Sequence, residues 1–385
     1  MIDARAFAAQ FCDRFGGTPH DLVVHWAPGR VNLIGDHVDY CGGAVLPMPI
    51  QFGTTVGVRI NSSGRIKAVS ANSADVVDRS IGEHSAGSAG SWGRFVLGAI
   101  AVLANEGISV TGVDVLVSGD IQGSGLSSSA SLSVALLSSL TSAMGRTTEP
   151  LRLALAAQRI EHEHVGVQCG LMDQAVIALA EPGNALWFDC VDHRHRSIAI
   201  DSAISVVVVD TGRTRQLVHS AYNARLRETR AGAAALGVEH RFLGRLDVAE
   251  FETCGARIDD PVAYRRVRHV VGEARRVSQA AAALETKAWS TAGELFNQSH
   301  ASLRDDFEVS CPELDVLADA LISQPGCYGA RMTGAGFGGC VVALVDAGRV
   351  DDVIAHATTA YLNRFGTTAR GFVARSLGGV RPVDG

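Results

Sequence analysis

Three glycine-bearing segments lie far apart in the 385-residue chain: APGRVNLIGDHVDYCGGAVLPMP at 27–49, GDIQGSGLSSSAS at 119–131 and GAGFGG at 334–339. Each adjoins a stretch patterned for strand or helix, so the fold must place permissive backbone at several element ends. Glycine supplies 42/385, about 11%, of the chain, against roughly 7% in ordinary proteins. With 47% apolar and 19% charged residues, the chain can bury a sizeable core and is not of disordered composition. Its length predicts two or three domains.

Between these segments the patterning is legible. Residues 22–26, 54–60 and 112–119 read as strands, 83–93 as a Gly/Ser-rich loop, and 94–107 as a helix stopped at Gly107. Leu126, Ala130, Val134, Leu137 and Met144 recur at helical spacing, which predicts a buried helix. Two more helices are expected at 150–165 and 171–180, then short strands at 184–188, 196–200 and 204–210. The stretch 216–306 reads as mostly helical. A helix at 312–323, strands at 327–332 and 340–345, a helix at 349–364 and a strand at 370–375 complete the pattern. A change of character near 180–200 suggests a division into 1–190 and 191–385. There is no internal repeat.

The middle segment carries a strand end, glycines and three serines that open a buried helix. Helix N-termini present free N–H groups and partial positive charge, a geometry that favours phosphate. Gly123 and Gly125 would let backbone approach oxygen atoms closely, and Ser127, Ser128 and Ser129 can cap the helix, donate to phosphate or reach a metal. An ordinary Gly–Ser turn with an N-cap explains the same residues. No Walker sequence occurs.

The late segment matches G-x-G-x-x-G literally, yet CVVALV follows at once. A dinucleotide fingerprint needs a helix there, so a strand–loop–strand hairpin is expected, with or without a ligand. The early segment interleaves Arg30, Asn32, Asp36, His37 and Asp39 with apolar residues. Carboxylates that accept and cations that donate suit a polyhydroxylated ligand; a solvated turn is the plainer alternative. A fourth element, QRIEHEHVGVQCGLMDQAVIALA at 158–180, places Asp173 and Gln174 at a helix start and Glu161 on the preceding helix. Asp173 could simply be an N-cap. His162 and His164 are two apart and cannot share a helical face, which makes a poor metal site; His193 and His195 read as surface residues.

The net charge of −6 argues against general nucleic-acid binding, while leaving room for an anionic small molecule. The first residues lack an apolar signal core, and no run approaches a membrane span. Eight scattered cysteines without a C-x-x-C pair fit reduced thiols better than zinc or disulfides. A cytoplasmic protein is therefore expected, in which the sequon at Asn61 has no meaning.

Taken together, APGRVNLIGDHVDY, GSGLSSSAS, CGLMDQ and MTGAGFGGC resemble the sugar, phosphate-loop, catalytic-aspartate and third motifs of the GHMP kinase superfamily, and within it the galactokinases. SAYNARLRE at 220–228, RVRHVVGEARRV at 266–277 and SHASLRDDFEVSCPELD at 299–315 extend the resemblance over nearly the whole chain. It implies an α+β, two-domain GHMP kinase fold with the active site in the inter-domain cleft. The implied reaction is phosphorylation of a sugar at its anomeric C1 hydroxyl, with ATP and Mg²⁺. By matching position, Asp173 would be the catalytic base and Arg30 its cationic neighbour. Asp36, His37, Asp39, Gly170 and Tyr222 would contact the sugar. Gly123, Ser124, Gly125, Leu126, Ser127 and Ser128 would wrap the phosphates, with Trp92 near the adenine, and Ser129 and Glu161 would hold Mg²⁺. The partners implied are a small sugar and ATP, with no nucleic acid or membrane, in a monomer or weak dimer. A carboxylate beside a guanidinium stays in its charged form, which suits a base.

The chain departs from the galactokinase pattern in places. Asp36 stands where that family usually has Glu, one methylene longer, so a contact to the sugar 6-hydroxyl could run through water. Val38 and Cys41 are similar to N-acetylgalactosamine kinases, and Ile121-Gln122 replaces the usual Val-Pro. An N-acetylgalactosamine kinase, or a kinase for another galactose-like sugar, is accordingly the alternative. A third reading, a sugar-sensing regulator without catalysis, would have lost part of the phosphate loop or the base. Here Arg30, Ser127 to Ser129, Glu161 and Asp173 are all present.

Overall fold

The computed structural model describes residues 3–83, 92–121, 125–213 and 218–383. Helix α1 (Ala4–Phe15) is capped by the Asp3 carboxylate and leads to β1 (Val23–Asn32). A single turn at Asp39–Cys41, the short β2 (Ala44–Val45), β3 (Pro47–Ile60) and the hairpin β4 (Arg65–Ser70)–β5 (Ser73–Ser80) follow. Next come α2 (Gly93–Asn105), β6 (Val113–Gly119), α3 (Ser128–Ala143), α4 (Pro150–Arg159) and α5 (Met172–Leu179). Strands β7 (Asn184–Asp189), β8 (His195–Ala199) and β9 (Ile204–Asp210) precede a helical stretch of α6 (Val218–Leu236), α7 (Val248–Cys254), α8 (Pro261–Glu285), α9 (Trp289–Asp305) and α10 (Pro312–Ile322). The chain closes with β10 (Cys327–Thr333), β11 (Cys340–Asp346), α11 (Val350–Phe365), β12 (Arg370–Ala374) and β13 (Arg381–Pro382).

The strands form three sheets, ordered β13-β1-β3-β6-β4-β5, β10-β11-β9-β12 and β2-β7-β8. Helix α3 lies against β1 and β3 and is buried on nearly every side. Two of its buried serines bond to strand carbonyls: Ser131 donates to Ala27 and Ser139 to Val56. One core runs from α2 to α5 and the first sheet on to α8, α10, α11 and one face of β9 and β11, and a second lies between the other face of β9 and β11 and helices α8 and α9.

Three expectations need adjusting. The first strand does not end at residue 26 but runs to Asn32, with a register shift between Pro28 and Arg30; a bulge absorbs the proline and glycine. The helix expected over 150–165 ends at Arg159 and continues as a wider π turn, Ile160–Val165, closed by Gly166 at φ 87°. The β4–β5 hairpin is an addition to the expected strands: in β5 only Val77 is buried, so its apolar residues do not mark a core face. The division expected between residues 190 and 191 falls inside the β7–β8 hairpin, and β13 returns to pair with β1. The loop expected at 83–93 lies mostly outside the described residues.

Candidate active site

The bulge on β1 sets up the site. Gly29 packs so tightly that a β-carbon there would stand 2.5 Å from the Leu126 carbonyl oxygen, and the Arg30 N–H donates to that same oxygen at 3.0 Å. The buried Arg30 side chain then turns toward the start of α3. Its Nη1 donates to the Gly125 carbonyl at 2.6 Å. Its Nε and Nη2 hold the two oxygens of Asp173 at 2.7 and 2.8 Å. Asp173 thus sits in the first turn of α5 without capping it; the helix has no side-chain cap, and the carboxylate is spent on Arg30 instead. Ser127, held at φ 62° just ahead of α3, donates its hydroxyl to Asp173 Oδ2. A left-handed non-glycine residue of this kind stores strain and is typical of functional sites.

These groups open onto a cavity of about 290 Å³, near the lower end for small-molecule sites (about 300–1,000 Å³). Asp36, His37, Asp39, Gly170 and Tyr222 line it together with Arg30, Asp173, Gly125, Ser127, Ser128, Ser129 and Glu161. His37, at φ 64°, bonds Tyr40 through Nδ1 at 2.9 Å and the Ala335 carbonyl through Nε2 at 3.2 Å. Its ring lies 4.8 Å from Phe307 and 5.7 Å from Tyr222. Asp36 is buried; its Oδ1 accepts the Gly334 N–H at 3.0 Å.

Charge in the cavity is unbalanced toward the negative. Burial, followed by the neighbouring Asp173, raises the Asp39 carboxyl to about 7. The same two causes raise Glu161 to about 7, against hydrogen bonds from Gln174 and Ser129. Burial, then His269, pushes His37 down to about 3, so its imidazole is neutral. The π turn is what aims Glu161 inward, where it accepts the Gln174 amide at 2.7 Å; such turns recur at functional sites. Among the described residues no group of three or more His, Cys, Asp or Glu is placed to hold a metal. Magnesium, however, binds through one or two carboxylates plus phosphate oxygens and water, and the Glu161–Ser129 pair fits that mode.

Of the remaining expected residues, Leu126 is buried and contributes its carbonyl rather than a cavity surface. Trp92 precedes α2 and does not line the cavity. Gly123 and Ser124 lie outside the described residues. GAGFGG is a hairpin loop between antiparallel β10 and β11, with Thr333 opposite Cys340; it supplies Gly334 and Ala335 to the cavity wall. Tyr40, Val167, Cys169 and Met172 also line the wall. Tyr40, Cys169 and Met172 flank residues singled out in the sequence, whereas Val167 has no such neighbour. Val38 and Cys41 are fully buried in the core and do not line the cavity.

Comparison with known proteins shows which family the sequence and fold resemble. The galactokinase galactose-binding signature matches residues 9–60, the GHMP kinase N-terminal domain 94–181 and the GHMP kinase C-terminal domain 280–363. A galactokinase from Roseiflexus sp. is 39% identical over 100% of this chain and 98% of its own. One from Clostridium perfringens is 35% identical over 97% and 98%. The crystal structure of Lactococcus lactis galactokinase complexed with galactose has a TM-score of 0.94 and 34% identity, covering 98% of this chain and 99% of that one. No helix among the described residues is long and apolar enough to cross a membrane.

Proposed function

This chain belongs to the galactokinase family of GHMP kinases, and from that membership we propose that it transfers the γ-phosphoryl group of ATP to the C1 hydroxyl of galactose, giving galactose 1-phosphate and ADP. The observation that carries the reading is the position of Asp173. Its carboxylate, gripped by Arg30 and Ser127, lines one cavity with polar groups suited to a sugar and with the serine-rich start of a long helix.

Among the described residues, Asp173 Oδ2 accepts from both Arg30 Nη2 and Ser127, whereas Oδ1 accepts only from Arg30 Nε. Each carboxylate oxygen offers two lone pairs, so Oδ1 is the atom that takes the C1 hydroxyl proton as the sugar oxygen attacks phosphorus. Arg30 orients the base and offsets its charge. Asp36 and Asp39 accept from the remaining hydroxyls, while His37, whose ring nitrogens are taken by Tyr40 and the Ala335 carbonyl, and Tyr222 pack against the sugar. The backbone N–H groups from Gly125 to Ser128 and the N-terminus of α3 bind phosphate oxygens, so transfer rests on positioning and electrostatics. Magnesium at Ser129 and Glu161, when bound, neutralises phosphate charge. ATP is thus held by main-chain groups and a helix end, which reconciles a polyphosphate ligand with a net charge of −6.

Galactose is favoured over its acetamido derivative because Val38 and Cys41, on which that alternative rested, face the core. An ADP-release assay with galactose, N-acetylgalactosamine, glucose, arabinose and galacturonate tests the reading. Turnover should be fastest with galactose, and none with any of these sugars would overturn it.

A further inference from the structure

Behind the sugar wall lies a chain of charges that no proposed catalytic step uses. Asp36 Oδ2 is 2.6 Å from Arg331 Nη2, and both side chains are essentially inaccessible to solvent. Arg331 also donates from Nε to the Ser299 hydroxyl at 3.0 Å, and from Nη1 to the carbonyls of Asn32 and Leu33 at 3.3 and 3.1 Å. Glu273, fully buried, stands 3.8 Å from Arg331. It accepts the Gly35 N–H at 3.0 Å, the Ser299 hydroxyl at 2.6 Å and Arg276 Nε at 2.8 Å. Asp36, Arg331, Glu273 and Arg276 therefore alternate between carboxyl and guanidinium groups, the first three enclosed and Arg276 partly exposed.

A buried ion pair is weak evidence for stability, since apolar residues of the same volume often serve as well. Geometry gives this one a different use. Arg331 touches residues 32, 33 and 36 of the sugar segment, while its neighbours continue the seam: Thr333 exchanges hydrogen bonds with Asn32, and Gly334 donates to Asp36. The planar guanidinium has five donors in a fixed fork, enough to set both the Asp36 carboxylate and the backbone that presents it. An aspartate on its short stem has little reach of its own, so its aim is decided by what grips it.

We propose that Arg331 is a positioning residue for sugar recognition, acting through Asp36 and the carbonyls of Asn32 and Leu33. The proposal rests on the reading that Asp36 faces the sugar. Steady-state kinetics on Arg331→Met, Arg331→Lys, Asp36→Asn and the Asp36→Asn/Arg331→Met double variant test it, with KM measured separately for galactose and ATP. Arg331→Met should raise the galactose KM by about tenfold or more, as misplacement of a binding group does, while ATP KM and kcat stay near wild type. Arg331→Lys keeps the charge but not the fork and should recover part of the loss. The double variant should bind galactose no worse than the weaker single variant. A galactose KM unchanged in both Arg331 variants, equal rises in both KM values, or additive effects in the double variant would overturn the proposal. If Arg331→Met does not fold, Arg331→Lys with Asp36→Asn/Arg331→Lys carries the same test. An unchanged galactose KM in Asp36→Asn would remove the sugar from Asp36 and the proposal with it, even while wild-type turnover of galactose upholds the activity.

Discussion

Gly170 stands so close to Asp39 that a β-carbon on it would overlap the Asp39 carboxylate. Its backbone is not in the left-handed region, so the requirement for glycine is one of space alone. Gly170→Ala should therefore keep the fold and displace Asp39. Overpacking of this kind costs about 1–3 kcal/mol of stability, and the displaced Asp39 should cost sugar binding as well. The expected outcome is a galactose KM raised about tenfold or more, a melting temperature lowered by a few degrees and an ATP KM little changed.

Replacing Asp173 by Asn keeps its shape and removes the ability to take a proton. Loss of a positioned base should lower kcat by about 10²–10⁴-fold, with nucleotide binding measured calorimetrically left intact. Asp173→Ala removes the partner of the buried Arg30 as well, and leaving a buried charge unpaired costs about 3–5 kcal/mol. With Asp173 itself 26% exposed, the loss should lie at the low end of that range. Full turnover in the Asn variant would disprove the base assignment.

Asp39 links activity and stability to pH with opposite signs. Burial and Asp173 hold its carboxyl at about 7, above its value in an unfolded chain, about 3.9. Between those values the folded state binds more proton than the unfolded one, so this contribution to stability is complete below about pH 4 and is lost as pH rises through about 7. Asp39→Asn should thus melt higher than wild type at about pH 8, while losing sugar affinity. In the wild type, kcat/KM for galactose should rise toward neutral pH as the carboxylate becomes able to accept hydroxyl hydrogens.

Glu161 is the carboxylate of the magnesium pair. Glu161→Gln preserves its size and its contact region with Gln174 but removes the charge, and hard divalent cations depend on carboxylate oxygen. Chelation should abolish turnover in the wild type. In Glu161→Gln the Mg²⁺ concentration for half-maximal rate should rise about tenfold or more, the loss typical of a damaged metal site. An unchanged Mg²⁺ requirement would take Glu161 out of the metal site.

Much of the architecture was legible locally. ISVVVVD announces β9 by its β-branched run. CVVALV, following the glycines at once, distinguishes a hairpin from a nucleotide turn, and β10–β11 pair accordingly. The residues expected to contact sugar lie in recognisable motifs, and all five line one cavity. Arg331 had no such signal: one arginine in a strand reads like any outward-facing charge until the register shows it enclosed. The π turn was equally silent, because IEHEHV continues the helical pattern of α4 and only packing selects the wider turn.

The amino-acid order alone thus determined the types of most elements, the hairpin nature of GAGFGG and the residues from which a kinase site could be built. These are properties of neighbours in the chain, carried by periodicity, turn chemistry and motif. Only the tertiary structure decided which of them meet. Arg30 and Asp173 are 143 residues apart, and Arg331 lies 298 from Leu33. Pairings over such distances leave no local pattern, because they are selected by the packing of whole helices and sheets around buried charge rather than by any preference of the residues themselves.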